Sequence, residues 1–236
     1  MLLSEKTSGF IPIPSLVENF PIWPGIDRLQ SACLGITLID IESISCVKDH
    51  LLTPREAAKA RRMSPPRRRG FTAARVALKR LCRQLGLVEK ERPDRAIETL
   101  CPDDVRPCLS ESGIYCSVSH SGRLAVAVAY RYPVGVDIEM VSEKVTRTKH
   151  LFLSPRERVL VSLSSLGPVR AATRAWTIKE AAAKALGLDL FRAIREGEIV
   201  SVGEEEGVMR YQEEIYPVRH CEGNGYVITL MTCDDL

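Results

Sequence analysis

Apolar residues recur along the chain with the two-residue period of β-strands, or in short apolar runs of strand length. The strands predicted in this way are 35–41, 115–120, 123–130, 134–140, 211–218 and 225–232. A short turn at Ser121 and Gly122 joins the second strand to the third, and the last two strands predict a terminal hairpin.

Two longer segments, 70–85 and 171–186, are rich in Ala, Leu, Arg and Lys and therefore predict helices. Gly187 follows the second segment at a position suited to end a helix. Thr53 and Ser154 each precede a proline, which is the pattern of a helix N-cap followed by proline in the first turn. The chain thus combines helices and strands in both of its halves.

An internal repeat with a spacing of about one hundred residues relates these two halves. Three segments recur in the same order: 35–40 with 135–140, 50–56 with 150–157, and 71–79 with 176–184. The sequence therefore predicts an α+β fold, a pseudo-dimer of two similar α+β halves with the active site in the cleft between them. The expected divisions are a Pro-rich N-terminal extension at 1–32 and two halves at 33–132 and 133–236.

The composition is that of a globular protein, with 236 residues of which 45% are apolar and 27% charged. No apolar run approaches the roughly 20 residues that a membrane-spanning helix needs, so we expect no membrane association. The N-terminal residues lack the basic start and continuous apolar core of a secretory signal, and we expect a cytoplasmic protein.

The charge is concentrated in one stretch. Residues 55–83 contain eleven Lys or Arg and one acid, Glu56. Such a stretch attracts phosphates or an acidic partner surface, although a solvated helix face would show the same pattern. A nucleic-acid-binding module is an alternative that rests on this charge alone, because the stretch holds one aromatic residue, Phe71, and no known nucleic-acid motif.

Two groups of side chains carry candidate chemistry. In the strand 134–140 the apolar residues face one side, and Asp137 and Glu139 face the other. Two neighbouring carboxylates repel each other unless solvent or a cation intervenes, and Mg²⁺ is a suitable cation; a solvent-facing edge strand is the alternative. On the helix 171–186, Glu180 and Lys184 are one turn apart; Glu180 offers a third carboxylate or a base, and an exposed ion pair is the alternative.

Further side chains are candidate phosphate contacts. Ser119 and His120 stand at the end of a predicted strand, and Arg106 precedes a proline that restricts the backbone. A magnesium site together with several phosphate contacts suggests a diphosphate substrate.

Three motifs give the chain a resemblance to a known family, the Sfp-type 4′-phosphopantetheinyl transferases. They are Gly-Val-Asp-Ile-Glu at 135–139, Trp-Thr-Ile-Lys-Glu-Ala-Ala-Ala-Lys-Ala-Leu-Gly at 176–187, and Val-Ser-His-Ser at 118–121. The resemblance covers roughly 35–200, and the basic stretch resembles the Arg-rich helix of the family's first half. It implies a magnesium-dependent transfer of the 4′-phosphopantetheine arm of coenzyme A to a serine of an acyl or peptidyl carrier protein.

The resemblance also implies a role for each matching residue. Asp137, Glu139 and Glu180 would bind Mg²⁺ with the pyrophosphate, and Glu180 and Lys184 would be catalytic. Contacts with coenzyme A are expected from Arg55, Lys59, Arg62, Arg69, Arg106, Ser119, His120, Lys179 and Lys184. The basic residues among them are alternatively contacts for an acidic carrier helix.

The resemblance leaves two further points as expectations. Two fused halves make a monomer the simplest expectation. A catalytically inactive carrier-binding protein with the same fold is the remaining alternative, and the presence of Asp137, Glu139, Glu180 and Lys184 argues against it.

Overall fold

The computed structural model describes residues 35–44, 50–101, 107, 109 and 113–233, so the predicted extension at 1–32 and Arg106 lie outside the described residues. Eight strands are present there: β1 Gly35–Asp40, β2 Tyr115–Ser121, β3 Leu124–Tyr130, β4 Val134–Met140, β5 Gly197–Val202, β6 Glu206–Tyr211, β7 Glu214–Gly223 and β8 Tyr226–Thr232. The α-helices of the same residues are α1 Pro54–Arg61, α2 Pro65–Gln84, α3 Glu143–Thr148, α4 Pro155–Leu163, α5 Pro168–Leu186 and α6 Leu190–Glu196. None of the described helices is both long enough and apolar enough to cross a membrane.

The strands form two antiparallel sheets, with the orders β1-β3-β2 and β4-β8-β7-β6-β5. Apolar side chains of both sheets fill the space between them, among them Leu38, Val126, Val136 and Ile228. The long helix α2 packs on the outer face of the first sheet, and α5 packs on the outer face of the second. The fold is therefore α+β, as predicted.

The alternation of buried residues explains these layers. In β3 the even-numbered Val126 and Val128 face the second sheet, whereas the odd-numbered Ala125 and Ala127 face α2. The small alanines allow α2 to approach the sheet closely. The first sheet is covered on both faces, and β3 is accordingly buried along its whole length.

A capping box starts the first capped helix in each half of the sequence. Thr53 with Glu56 caps α1, and Ser154 with Glu157 caps α4, each with both reciprocal hydrogen bonds. The two glutamates are buried and form ion pairs with buried lysines of the long helices. Lys79 of α2 pairs with Glu56, and Lys179 of α5 pairs with Glu157. Lys179 is thus the counterpart of Lys79 by its contacts, whereas the sequence repeat had aligned Lys184 with Lys79. The pseudo-dimer itself stays a prediction.

The strands and the two long helices predicted from the pattern are confirmed, with shifted ends. Both long helices begin earlier than predicted, at Pro65 and Pro168, because proline fits the first turn of a helix where no N–H partner is needed. The pattern missed β5 and β6, whose polar residues hide the alternation, and the short helices α3 and α6.

Candidate active site

The carboxylates of Asp137 and Glu139 project from β4 toward α5. Gly135 of the same strand face lies so close to α5 that an added Cβ would collide with the carbonyl oxygen of Ala181. Glycine in the strand and alanine in the helix therefore bring β4 and α5 together, since neither carries a bulky side chain. This close packing places Glu180 and Lys184 of α5 beside the two acids, as the sequence predicts.

Lys184 is anchored to the acidic strand. Its Nζ donates to Asp137 Oδ1 over 2.8 Å and to the carbonyl oxygen of Val136 over 2.9 Å. The aspartate side chain is 7% exposed and the lysine side chain 27%, so the pair lies at the edge of solvent. Asp137 Oδ2 is buried without a hydrogen-bond partner among the described residues.

Three alternate serines of β2 contact β4 across the boundary between the two sheets. Ser119 Oγ donates to Asp137 Oδ1 over 2.6 Å, and Ser121 Oγ donates to Glu139 Oε1 over 2.8 Å. Ser117 Oγ accepts the backbone N–H of Val136 over 3.1 Å. Because residues two apart on a strand share a face, one strand orients both acids.

Burial and the neighbouring carboxylates make Glu139 and Glu180 reluctant to ionise. Burial raises the pKa of Glu180, the charges of Asp137 and Glu139 raise it further, and Lys184 opposes the rise. The pKa of Glu139 is also raised, mainly by burial, although the hydrogen bond from Ser121 opposes the rise. Three interacting carboxylates beside one lysine leave an excess of negative charge in this place.

His120 lies between this cluster and helix α2. An added Cβ at Gly70 would collide with the imidazole ring, so the ring packs directly on the helix backbone. His120 retains access to solvent, but the surrounding protein partly desolvates the ring and lowers its pKa; Lys184 and Arg67 lower it further, against the opposing charge of Asp137. The lowered pKa favours the neutral form of the imidazole.

The predicted basic contacts lie elsewhere, on α1, on α2 and at Arg62, which follows α1 directly. Arg55 donates to the carbonyl oxygens of Leu100 and Cys101, and Lys59 is half-buried on α1. Arg62 and Arg69 are exposed. Arg69 lines a cavity of about 430 Å³ between α1, α2 and the segment that follows β1. The other lining residues are Ile41, Ile44, Leu52, Ala57, Ala60, Arg61, Pro65, Arg68 and Thr72. None of the three acids lines this cavity.

Lys179 does not belong to the cluster, although the resemblance implies that it contacts coenzyme A. Its side chain is fully buried, pairs with Glu157 Oε1 over 2.7 Å and donates to the carbonyl oxygen of Gly197. Successive helix residues are about 100° apart, so residues 179 and 180 point in different directions. The structure therefore corrects the assignment of Lys179 as a coenzyme contact.

The chemistry of the donors fits a hard divalent cation. Carboxylate oxygens are the ligands that Mg²⁺ prefers, and among the described residues the buried Asp137 Oδ2 has no hydrogen-bond partner. In their present positions, no three His, Cys, Asp or Glu side chains of the described residues form a ready group for a metal ion. A cation held by all three acids would therefore require their side chains to converge.

Two residues near the site, Gly70 and Tyr226, were not identified from the sequence. Gly70 had a local signal, because a glycine inside a helix costs about 1 kcal/mol and so points to a close approach. Tyr226 of β8 had no such local signal, because its contact joins distant parts of the chain. Its hydroxyl accepts a hydrogen bond of 3.1 Å from the backbone N–H of Arg123, 103 positions away.

Comparison with known proteins shows what the segment that holds this site is similar to. Residues 133–231 match the sequence model of the 4′-phosphopantetheinyl transferase superfamily. Enterobactin synthase component D of Escherichia coli O157:H7 is 30% identical over 123 residues, which are 51% of this chain and 60% of that protein. The same component of Salmonella typhi is 29% identical over 172 residues, 72% of this chain and 67% of that protein.

A relative whose name states its activity is 4′-phosphopantetheinyl transferase HetI of Nostoc sp., 33% identical over 141 residues, or 58% of this chain and 60% of that protein. The chain thus spans about 60% of the length of the first curated relatives that it matches. The matched family segment contains Asp137, Glu139, Glu180 and Lys184. The resemblance seen in the sequence is confirmed at this level: residues 133–231 match the sequence model of the 4′-phosphopantetheinyl transferase superfamily.

Proposed function

We propose that this protein transfers the 4′-phosphopantetheine arm of coenzyme A to a serine hydroxyl of an apo acyl or peptidyl carrier protein. The reaction depends on Mg²⁺ and releases adenosine 3′,5′-bisphosphate. The observation that carries the proposal is the cluster of Asp137, Glu139 and Glu180 beside Lys184, within the segment that matches the transferase superfamily.

In the transfer, the serine oxygen forms a bond to the phosphorus next to the pantetheine arm, and the bond from that phosphorus to the bridging oxygen breaks. Asp137, Glu139 and Glu180 would hold Mg²⁺ with the pyrophosphate. The bound ion supplies charge neutralisation for the pyrophosphate and its leaving oxygen. Lys184, fixed at the edge of the same cluster, would place its ammonium on the phosphate that is attacked.

Glu180 is the candidate to accept the serine proton. As a base that does not itself bind Mg²⁺, its ionised form would be stronger than that of an exposed glutamate, because burial and the neighbouring carboxylates raise its pKa. The same property suits a metal ligand, because a cation would stabilise the ionised form. Both roles require the carboxylate, so both predict the same loss when it is replaced by an amide.

Side chains around the cluster would hold the rest of coenzyme A. Neutral His120 can donate one ring N–H to a phosphate oxygen, and Ser119 adds a hydroxyl. The cavity beside Arg61 and Arg69 has the apolar walls and cationic rim that suit an adenosine 3′-phosphate. Arg62, exposed just beyond the end of α1, would attract an acidic carrier surface.

Intact-mass spectrometry of apo carrier proteins tests the proposal. Each carrier is incubated with the protein, coenzyme A and Mg²⁺, with a parallel reaction that contains EDTA. We expect a gain of roughly 340 Da, the mass of the covalently attached arm, without EDTA and none with it. Failure to modify fatty-acid, polyketide and peptide carriers alike would contradict the proposal and favour a carrier-binding protein without chemistry.

A further inference from the structure

The β2–β3 turn, residues 121–123, is held from both sides by the second sheet. On one side, Ser121 Oγ donates to Glu139 Oε1 and accepts the backbone N–H of Met140 over 3.3 Å. On the other side, the hydroxyl of Tyr226 accepts the backbone N–H of Arg123. These contacts join a turn of the first sheet to β4 and β8 of the second.

The two attachments close a ring, because β4 and β8 are themselves paired. Met140 stands opposite Tyr226 in that pair, and Val141 N–H donates to the carbonyl oxygen of Gly225 over 2.8 Å. Tyr226 is 8% exposed, so its hydroxyl is fixed by the packing of its ring. A displacement of the turn would therefore move Ser121 away from Glu139.

Gly122 fits the turn to the tyrosine. Its φ of 53° lies in the left-handed region, and an added Cβ would collide with the Tyr226 hydroxyl. Two successive residues of the turn thus contact the Tyr226 hydroxyl: Gly122 packs closely against it, and the backbone N–H of Arg123 donates a hydrogen bond to it. Such a fit is more specific than the burial of an aromatic ring alone would require.

We infer that Tyr226 is a positioning residue, which holds the β2–β3 turn so that Ser121 orients the Glu139 carboxylate. The inference rests on the proposed function, in which Glu139 is a ligand of Mg²⁺. Hydrogen-bond partners of metal ligands set the direction of the ligand oxygen, and their loss typically weakens metal affinity about 10-fold or more. Tyr226 does not touch the substrate and acts through the turn.

The test compares Tyr226→Phe with Tyr211→Phe. Each substitution removes one hydroxyl from a similarly buried tyrosine of the same sheet, 8% and 7% exposed. The Tyr211 hydroxyl contacts Glu196, which directly precedes β5 at the far edge of the same sheet. Tyr211→Phe is therefore the matched control. Both variants keep the aromatic ring, so neither opens a cavity.

Two readouts are measured. Amide hydrogen exchange needs no substrate, and we expect the Arg123 amide to exchange at least about 10-fold faster in Tyr226→Phe and at the wild-type rate in Tyr211→Phe. In carrier modification, Tyr226→Phe should raise the Mg²⁺ concentration for half-maximal rate about 10-fold, with KM for the carrier within about twofold of wild type.

Unchanged exchange at Arg123 in Tyr226→Phe would show that the Tyr226 hydroxyl does not hold the β2–β3 turn. Faster exchange with an unchanged Mg²⁺ requirement would show that the held turn does not position Glu139. A wild-type protein that modifies no carrier would contradict the proposed function instead, and the exchange result would still decide whether Tyr226 holds the turn. If Tyr226→Phe does not fold, Ser121→Ala should raise the Mg²⁺ requirement and Ser121→Thr, which keeps the hydroxyl, should restore it; equal behaviour of the two would overturn the inference.

Discussion

Lys184 Nζ lies 2.8 Å from Asp137 Oδ1, and this contact joins the long helix α5 to the acidic strand β4. It gives Asp137 one cationic partner, while Glu139 and Glu180 add negative charge around the pair. A cluster of this kind costs folding free energy and is retained where chemistry needs the charge. The predictions below follow from that balance.

Replacement of Glu180 by glutamine should stabilise the fold at neutral pH. The folded-state pKa of Glu180 is raised, so the stability linked to its proton is fully present below the unfolded pKa of about 4.3 and is lost as pH rises through the folded value. We expect Glu180→Gln to exceed wild type by about 1 kcal/mol at pH 8, with the gap closing near pH 4. Urea unfolding in the presence of EDTA measures it; a gap that widens on acidification would contradict the account.

Loss of the Lys184 charge should lower the rate of transfer. Lys184→Met keeps the length of the side chain but removes the ammonium, and we expect carrier modification to slow about 10² to 10³-fold, the scale of one lost electrostatic contact in a transition state. Lys90→Met, at an exposed position, is the control and should leave the rate unchanged. A Lys184→Met rate near that of wild type would remove Lys184 from the catalytic group.

Lys179 should behave as a structural residue. Lys179→Met leaves the buried carboxylate of Glu157 without its cation, which typically costs about 3 to 5 kcal/mol. Lys79→Met does the same to Glu56 in the other half and is the matched comparison. Urea unfolding should show a large loss for both, whereas kcat per folded molecule stays within about twofold of wild type. A specific loss of coenzyme A affinity in Lys179→Met would restore it to the site.

Arg69 tests the proposed position of the coenzyme's nucleotide end. Arg69→Ala should raise KM for coenzyme A about 5 to 10-fold, because one charge-assisted contact to the 3′-phosphate is lost. With 3′-dephospho-coenzyme A, wild type and variant should have the same KM, since the contacted group is missing. An equal penalty with both substrates would place Arg69 on the carrier instead.

The residues that the sequence located are those set by local periodicity. Alternation on β4 put Asp137 and Glu139 on one face, and the helical period put Glu180 and Lys184 together. The resemblance gave Lys179 as a coenzyme contact, and its full burial against Glu157 contradicts that role. Its partner Glu157 comes from another element, and only the fold brings the two together.

Contacts between distant segments were beyond the sequence. The hydrogen bond from Arg123 to Tyr226 and the packing of His120 on Gly70 depend on how the two sheets and α2 meet. The periodicity of one segment carries no information on which distant segment it contacts. The strands β5 and β6 were missed because polar residues such as Glu198, Ser201 and Arg210 hide the apolar pattern, although buried positions do alternate along β6.

The turnover of Glu180→Gln tests the central claim most directly, namely that the acidic cluster beside Lys184 carries out the transfer. The rate of arm attachment to an apo carrier is measured by intact mass for wild type, Glu180→Gln and the exposed control Glu213→Gln. We predict a rate about 10² to 10⁴-fold below wild type for Glu180→Gln, consistent with a lost ligand or base, and an unchanged rate for Glu213→Gln. A folded Glu180→Gln that modifies the carrier at the wild-type rate would contradict the account.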